Sequence, residues 1–214
     1  MLPKKHKQML IVFGSPNDNG STRTLVSAFK KDFENTGRWG ITEIDAYKLN
    51  ALPCTGCKIC AGKEKCAFDD LDDFDRMLRQ SDLLVWASPI YNYSFPAPVK
   101  ALLDRSQRYF EAYFSLGKKP CIKKHRKAVL LLAMGSEDEF GAEVTQYQLR
   151  RAFSVMNTEL IGCSVWKSTD LKNKYRAEAL VDTHKLAKNL LNEHGETEAI
   201  KTETDVPAAV SDST

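Results

Sequence analysis

The stretch Gln8-Met9-Leu10-Ile11-Val12-Phe13-Gly14-Ser15-Pro16-Asn17-Asp18-Asn19-Gly20-Ser21-Thr22 decides the fold. Its first half, Gln8–Gly14, is a short unbroken apolar run, the pattern of a strand buried on both faces. From Thr22 to Asn35 the apolar residues switch to helical spacing, with Leu25, Phe29 and Phe33 at i, i+4 and i+8. Gly37 and Gly40 follow as stop signals. A buried strand that turns directly into an amphipathic helix opens a β–α–β chain.

The remaining sequence repeats this unit. Ile41–Leu49 reads as a weaker second strand, Asp70–Gln80 as a short helix and Asp82–Ser88 as a third, buried strand. Pro98–Phe110 is helical, with Val99, Leu102, Leu103 and Ser106 turned inward. Lys127–Met134 supplies a fourth strand, Phe140–Met156 a helix and Glu159–Trp166 a fifth strand. The last helix spans Arg176–Glu193, with Leu180, His184, Ala187 and Leu191 on its inner stripe and His184 as a structural residue. Strand–helix alternation of this kind predicts an α/β fold, a doubly wound five-stranded parallel sheet with helices on both faces. The order 2-1-3-4-5 is the expected one. One domain should cover residues 1–194, and the polar, acidic, aperiodic stretch 195–214 is expected to be a disordered tail.

The bulk properties exclude several functions. The 214 residues suffice for one full core, and 43% hydrophobic with 28% charged residues is ordinary globular usage. A net charge of +3, without a zinc-finger, helix-turn-helix or heptad pattern, argues against nucleic acid. Lys4, Lys5 and Lys7 precede an apolar run, but Met9–Phe13 is too short for a signal-peptide core and no segment suits a bilayer span. A cytoplasmic protein away from membranes is expected, so its six cysteines should not form a disulfide framework.

Ligands of such sheets bind outside the carboxyl ends of the strands, where the strand order reverses. Three loops reach that edge. In the first, Gly14–Thr22, hydroxyl and amide side chains open a helix, a setting that suits a phosphate. No lysine follows the glycine as a nucleoside-triphosphate loop requires, and the Gly-x-Gly-x-x-Gly spacing is absent, so a monophosphate fits better than a dinucleotide. A simple capped turn is the alternative. The second loop, Ser88–Pro96, could wall a flat ring with Tyr91, Tyr93 and Phe95, or place aromatics in the core. The third, Met134-Gly135-Ser136-Glu137, is permissive at Gly135.

Between the second strand and Asp69-Asp70 lies Cys54-x2-Cys57-x2-Cys60-x5-Cys66. Four thiols this close suit one soft-ligand centre, an iron–sulfur cluster or zinc, or else act as redox thiols. Cys163, within an apolar strand, reads as a core residue, and Cys121, among Lys118, Lys119, Lys123 and Lys124, as a surface thiol.

Taken in order, Gly14-Ser15-Pro16, Gly20-Ser21-Thr22, Ser88-Pro89-Ile90-Tyr91 and Val99-Lys100-Ala101-Leu102-Leu103-Asp104-Arg105 resemble the NADPH-dependent FMN reductases and iron–sulfur flavoproteins of the flavodoxin-like fold. The resemblance implies that Ser15, Asn17, Gly20, Ser21 and Thr22 hold the FMN phosphate. It implies that Pro89, Ile90, Tyr91 and Asn92 border the isoalloxazine, and Gly135 is expected among the cofactor-binding residues. The cysteine spacing looks like the family's 4Fe–4S motif. NADPH or NADH would then be the electron donor, and a small molecule or small redox protein the acceptor. No residue is needed as an acid or base, and none is assigned as catalytic. The alternative is an electron carrier that docks to a partner without nicotinamide activity, although a pI of 8.4 is high for one. A homodimer or homotetramer is expected. The aromatic, basic stretch Ser106–Lys127 reads as a solvated loop, or as a lid or subunit contact drawing in nicotinamide phosphates.

Overall fold

Strand β1 (Lys7–Phe13) runs between β2 (Trp39–Asp45) and β3 (Leu83–Pro89), and the sheet continues through β4 (Arg126–Ala133) to β5 (Thr158–Trp166). The order is β2-β1-β3-β4-β5, and every pairing is parallel. This is the doubly wound sheet expected from the alternation of elements. The computed structural model describes residues 6–171 and 174–193. The tail expected at 195–214 lies outside the described residues.

The pleat of the central strands divides the core in two. Met9, Ile11, Phe13, Leu83, Val85 and Ala87 face α1 (Ser21–Glu34) and α7 (Arg176–Glu193). Leu10, Val12, Leu84, Trp86, Leu130 and Leu132 face the other side. That side is covered by α3 (Asp72–Gln80), α4 (Ala97–Arg105), α5 (Gln107–Phe114) and α6 (Phe140–Ser154), with a single helical turn, α2 (Ile59–Gly62), near its rim. Phe29 and Phe33, both fully buried, stack on one another under the first face. Each such side chain contributes about 1.5–3 kcal/mol on leaving water.

Four local expectations are corrected. The helix expected over Pro98–Phe110 is two helices, because Ser106 donates its N–H to Leu103 O, an i−3 bond that tightens the turn between α4 and α5. Gly37, at φ +61°, ends α1, but Gly40 belongs to β2, where a Cβ would lie 2.7 Å from Gln8 Oε1. The inner stripe of α7 is Ala179, Thr183, Ala187, Leu190 and Leu191, so Ala187 and Leu191 lie where expected while Leu180 and His184 are one residue out of phase with Ala179 and Thr183. His184 sits half-buried at the rim, where Nδ1 meets Asp32 Oδ2 at 2.7 Å. Cys121 is buried, not superficial: its Sγ–H donates to Val155 O at 2.7 Å, and burial raises its pKa.

Candidate functional site

The carboxyl ends of β1, β3 and β4 are stitched together by backbone bonds that continue past the strands. Gly14 N–H donates to Ala87 O, Ile90 N–H to Ala133 O and Met134 N–H to Trp166 O. The three predicted loops therefore start from one rigid edge. Gly14 is required by crowding, since a Cβ there would sit 2.2 Å from Val99 Cγ2 and 3.2 Å from Ala87 O.

The first loop folds on its own side chains. Ser15, nearly buried, accepts the Asn17 N–H at its Oγ (3.2 Å), and Asn17 Oδ1 accepts the Asn19 N–H (2.9 Å). Gly20 is the N-cap of α1, and no side chain caps the helix. The first turn carries no acidic residue. The leading N–H groups of α1, at Ser21 and Thr22, are thus presented at the positive end of the helix dipole. That is the local chemistry a phosphate requires. Arg23, next in line, is turned away: it pairs with Glu43 (2.6 Å) and Asp18 (3.3 Å) and lies 3.7 Å over the Phe13 ring.

The second loop is a two-residue reversal. Tyr91 and Ser94 exchange both backbone hydrogen bonds at 2.9 Å, with Asn92 and Tyr93 at φ +49° and +58°. This places Tyr91 and Tyr93 about half exposed, while Phe95 enters the core. Tyr93 Oη donates to Asp138 Oδ2 at 3.2 Å and its ring packs on Phe140, linking the second loop to the third. Tyr47, beyond β2, has its pKa raised by burial and by the nearby Tyr91. Gly135 in the third loop has no room for a side chain, because the Asp170 carboxylate would lie 2.3 Å from its Cβ. Ser15, Asn17, Gly20, Ser21 and Thr22 therefore form one loop, and Pro89, Ile90, Tyr91, Asn92 and Gly135 lie on the two loops beside it.

The four cysteines are brought together as well. Cys54, Cys57, Cys60 and Cys66 all line one cavity of about 330 Å³, closed on its other side by Phe68, Arg105, Arg108 and Glu111. All are free thiols. Among the described residues, no three His, Cys, Asp or Glu side chains converge closely enough for a single ion. Four cysteine thiols lining one cavity are the kind of soft donor set that an iron–sulfur cluster or zinc takes. The thiol of Cys60 has its pKa raised, first by burial and then by Glu111.

Two arginines in this wall were not foreseen. Arg105 is 4% exposed, forks onto Asp70 at 2.7 and 3.1 Å, and donates to Leu52 O at 2.8 Å and Phe68 O at 3.4 Å. The Asp70 carboxyl, for its part, accepts the Leu52 N–H at 2.8 Å. Burial opposes ionisation of Asp70, yet its bonds to Arg105 and Leu52 hold its pKa below the ordinary value. Arg108 donates to Asp75, which also receives Arg79 and the Tyr109 hydroxyl. The Val99–Arg105 motif carried the only sequence signal: a charged residue ending an otherwise apolar helix face.

A model of the NADPH-dependent FMN reductase family matches residues 8–170. An iron-sulfur flavoprotein of Archaeoglobus fulgidus is 31% identical over 132 residues, 60% of this chain and 56% of that protein's own length. An iron-sulfur flavoprotein of Methanocaldococcus jannaschii is 28% identical over 153 residues, 71% of this chain and 74% of the relative. Among solved structures, an NAD(P)H:quinone oxidoreductase from Methanothermobacter marburgensis superimposes with a TM-score of 0.65 at 18% identity, over 87% of this chain and 96% of that one. An FMN-dependent NADH-azoreductase from Bacillus anthracis, solved in complex with FMN, gives 0.62 at 12% identity, over 87% and 99%. These two likenesses carry the fold. The family match spans the sheet from β1 to β5 together with all three loops at its edge, and on it the chain belongs to the NADPH-dependent FMN reductase family.

Proposed function

We propose that this protein is an FMN-dependent oxidoreductase that takes electrons from NADPH or NADH and also carries a 4Fe–4S cluster. The observation that carries the reading is that Cys54, Cys57, Cys60 and Cys66 all line one cavity, in a chain whose first strand-to-helix loop leaves a helix N-terminus uncapped for a phosphate. When bound, the flavin supplies hydride acceptance and the cluster supplies one-electron transfer. The residues do the rest. Ser15 and Asn17 shape the loop, Gly20 turns it into α1 with its own N–H on Asn17 O, and Ser21 and Thr22 offer N–H and hydroxyl donors to the phosphate. Pro89, Ile90, Tyr91 and Asn92, with Gly135, border the ring. The tight Tyr91–Ser94 reversal keeps the ring wall in one conformation.

The electron acceptor is a small molecule or a small redox protein, and the assembly a homodimer or homotetramer. Among the described residues no helix is long and apolar enough to cross a membrane. The test is an anaerobic visible spectrum with iron and acid-labile sulfide assays on one sample, followed by NADPH turnover. Flavin bands, about four irons per chain and NADPH oxidation are expected. Flavin without iron would sink the cluster, and a colourless protein that ignores added FMN would sink the whole reading. Flavin and iron without turnover of either nicotinamide would leave an electron carrier.

A further inference from the structure

The cysteine loop, unlike the three loops on the sheet edge, has no strand to hold it. Between Leu52 and Asp70 its only regular element is the single turn of α2. Its two ends are nonetheless joined, and one side chain joins them. Arg105 reaches Leu52 O, two residues before Cys54, with Nη1, and Phe68 O, two residues after Cys66, with Nη2. Asp70 completes the clasp by receiving both guanidinium amino groups and the Leu52 N–H. Those bonds use the two terminal nitrogens and leave Nε. Arg105 Nε is buried and has no hydrogen-bond partner, and the side chain lines the cysteine cavity. Burial works against the Arg105 charge, while Asp70 and the neighbouring Cys66 sulfur favour it, and the balance lies above the ordinary guanidinium value. A buried N–H with no acceptor costs free energy unless something in the finished protein accepts it. Cys66 lines the same cavity, and its sulfur is the charge partner of Arg105 there besides Asp70.

We propose that Arg105 is the positioning residue of the four-cysteine centre, clasping both ends of the cysteine loop with its terminal amino groups and donating its Nε–H to the sulfur of Cys66. This rests on the cluster reading above. The clasp sets the loop before the centre is assembled, which lowers the ordering cost of bringing four thiols together. The Nε–H and the positive charge stabilise the electron-rich, reduced form of the centre more than the oxidised form, and so raise its potential.

Substitutions separate the two roles. Arg105→Gln removes the charge and the fork, and Arg105→Lys keeps the charge without a fork able to span Leu52 O and Phe68 O. In the apoprotein, hydrogen exchange at the Leu52 amide should quicken about tenfold in both variants. In the iron-loaded protein, a redox titration followed by EPR should show R105Q about tenfold harder to reduce at fixed potential, equivalent to a shift of about 59 mV for one electron. R105K, which keeps the charge but loses the Nε–H, should fall between the two, about threefold harder to reduce than the wild type, and an R105K potential equal to the wild type's would overturn the Nε–H contact. Unchanged Leu52 exchange in both variants would overturn the clasp. An unmoved potential in R105Q, with iron present, would overturn the sulfur contact and leave the cluster reading standing. Iron-free wild-type protein would overturn the cluster reading and the sulfur contact together, while Leu52 exchange would still decide the clasp. Should R105Q not fold, exchange in R105K decides the clasp, and an R105K potential more than tenfold away overturns the contribution of charge.

Discussion

The phosphate loop and the cysteine loop are both irregular segments at the rim of the same sheet, yet they are held by different means. Gly14–Thr22 inherits its position from the fold: it leaves β1 through a backbone bond to Ala87 O and enters α1 with the helix N-terminus uncapped. Its useful donors are main-chain groups, which no single side chain supplies. The segment from Leu52 to Asp70 inherits almost nothing from the sheet. It is shaped by side chains from distant parts of the chain, Arg105 lying 53 residues from Leu52 and 35 from Asp70 in sequence. A fold-determined site tolerates side-chain changes and is damaged by backbone crowding. A side-chain-determined site should show the reverse sensitivity.

The sharpest way to break that contrast is at a ligand. On the proposed cluster reading, Cys57→Ala should abolish bound iron while FMN content stays within about twofold, because no phosphate-loop residue lines the cysteine cavity. Parallel iron and flavin assays on one preparation check it, and loss of flavin with the iron would show the two regions to be one cooperative unit. Next in size is Asp70→Asn. It leaves the buried Arg105 charge without its anion, and should lower stability by about 2–3 kcal/mol, below the usual figure for a buried pair because Asp70 is partly exposed. Acid should do the same by titration. The folded-state pKa of Asp70 is depressed, so its contribution is present above about pH 4 and fades as pH falls through the lower folded value. Denaturant melts of wild type and D70N should converge in acid, and a gap that stayed constant with pH would count against the clasp.

The complementary change is Gly14→Ala, expected to destabilise by about 1–2 kcal/mol by forcing a methyl against Val99. Flavin affinity should fall while iron content holds. A stable G14A protein with full flavin affinity would show that the edge can yield, and that the phosphate loop is less fold-determined than its bonding indicates.

How much of this is legible in the amino-acid sequence follows from the same contrast. The strands could be read because each buried strand is a continuous apolar run, and α1 because Leu25, Phe29 and Phe33 keep a helical period. Both are local signals. The phosphate loop could be located because it is flanked by those two elements. The cysteines could be grouped by spacing, but their cavity could not, since Arg105, Arg108 and Glu111 come from helices whose approach is tertiary. Misreadings have the same source. His184 and Leu180 fit a helical stripe as well as Thr183 and Ala179 do, and only the packing of α7 on the sheet picks the phase. Cys121 lies among lysines in sequence, yet its side chain turns under them to Val155 O, a contact across 34 residues.

The smallest effect tests the fold-determined region on its own terms. If the phosphate is held chiefly by the N–H groups that open α1, removing one hydroxyl should matter little. Ser21→Ala keeps the main-chain donors and the uncapped N-terminus, and loses one neutral hydrogen bond, about 1 kcal/mol or roughly fivefold in FMN affinity. Riboflavin, which lacks the phosphate, should bind wild type and variant equally. Placing a carboxylate at the same residue is the decisive control. Ser21→Asp sets a negative charge in the first helical turn, where it competes with the phosphate for the same donors. Fluorescence titrations with FMN and riboflavin should then show S21D losing FMN selectively and by more than S21A. Equal losses for both flavins would mean that Ser21 senses the ring or the protein's integrity, and that the helix N-terminus is not what holds the phosphate.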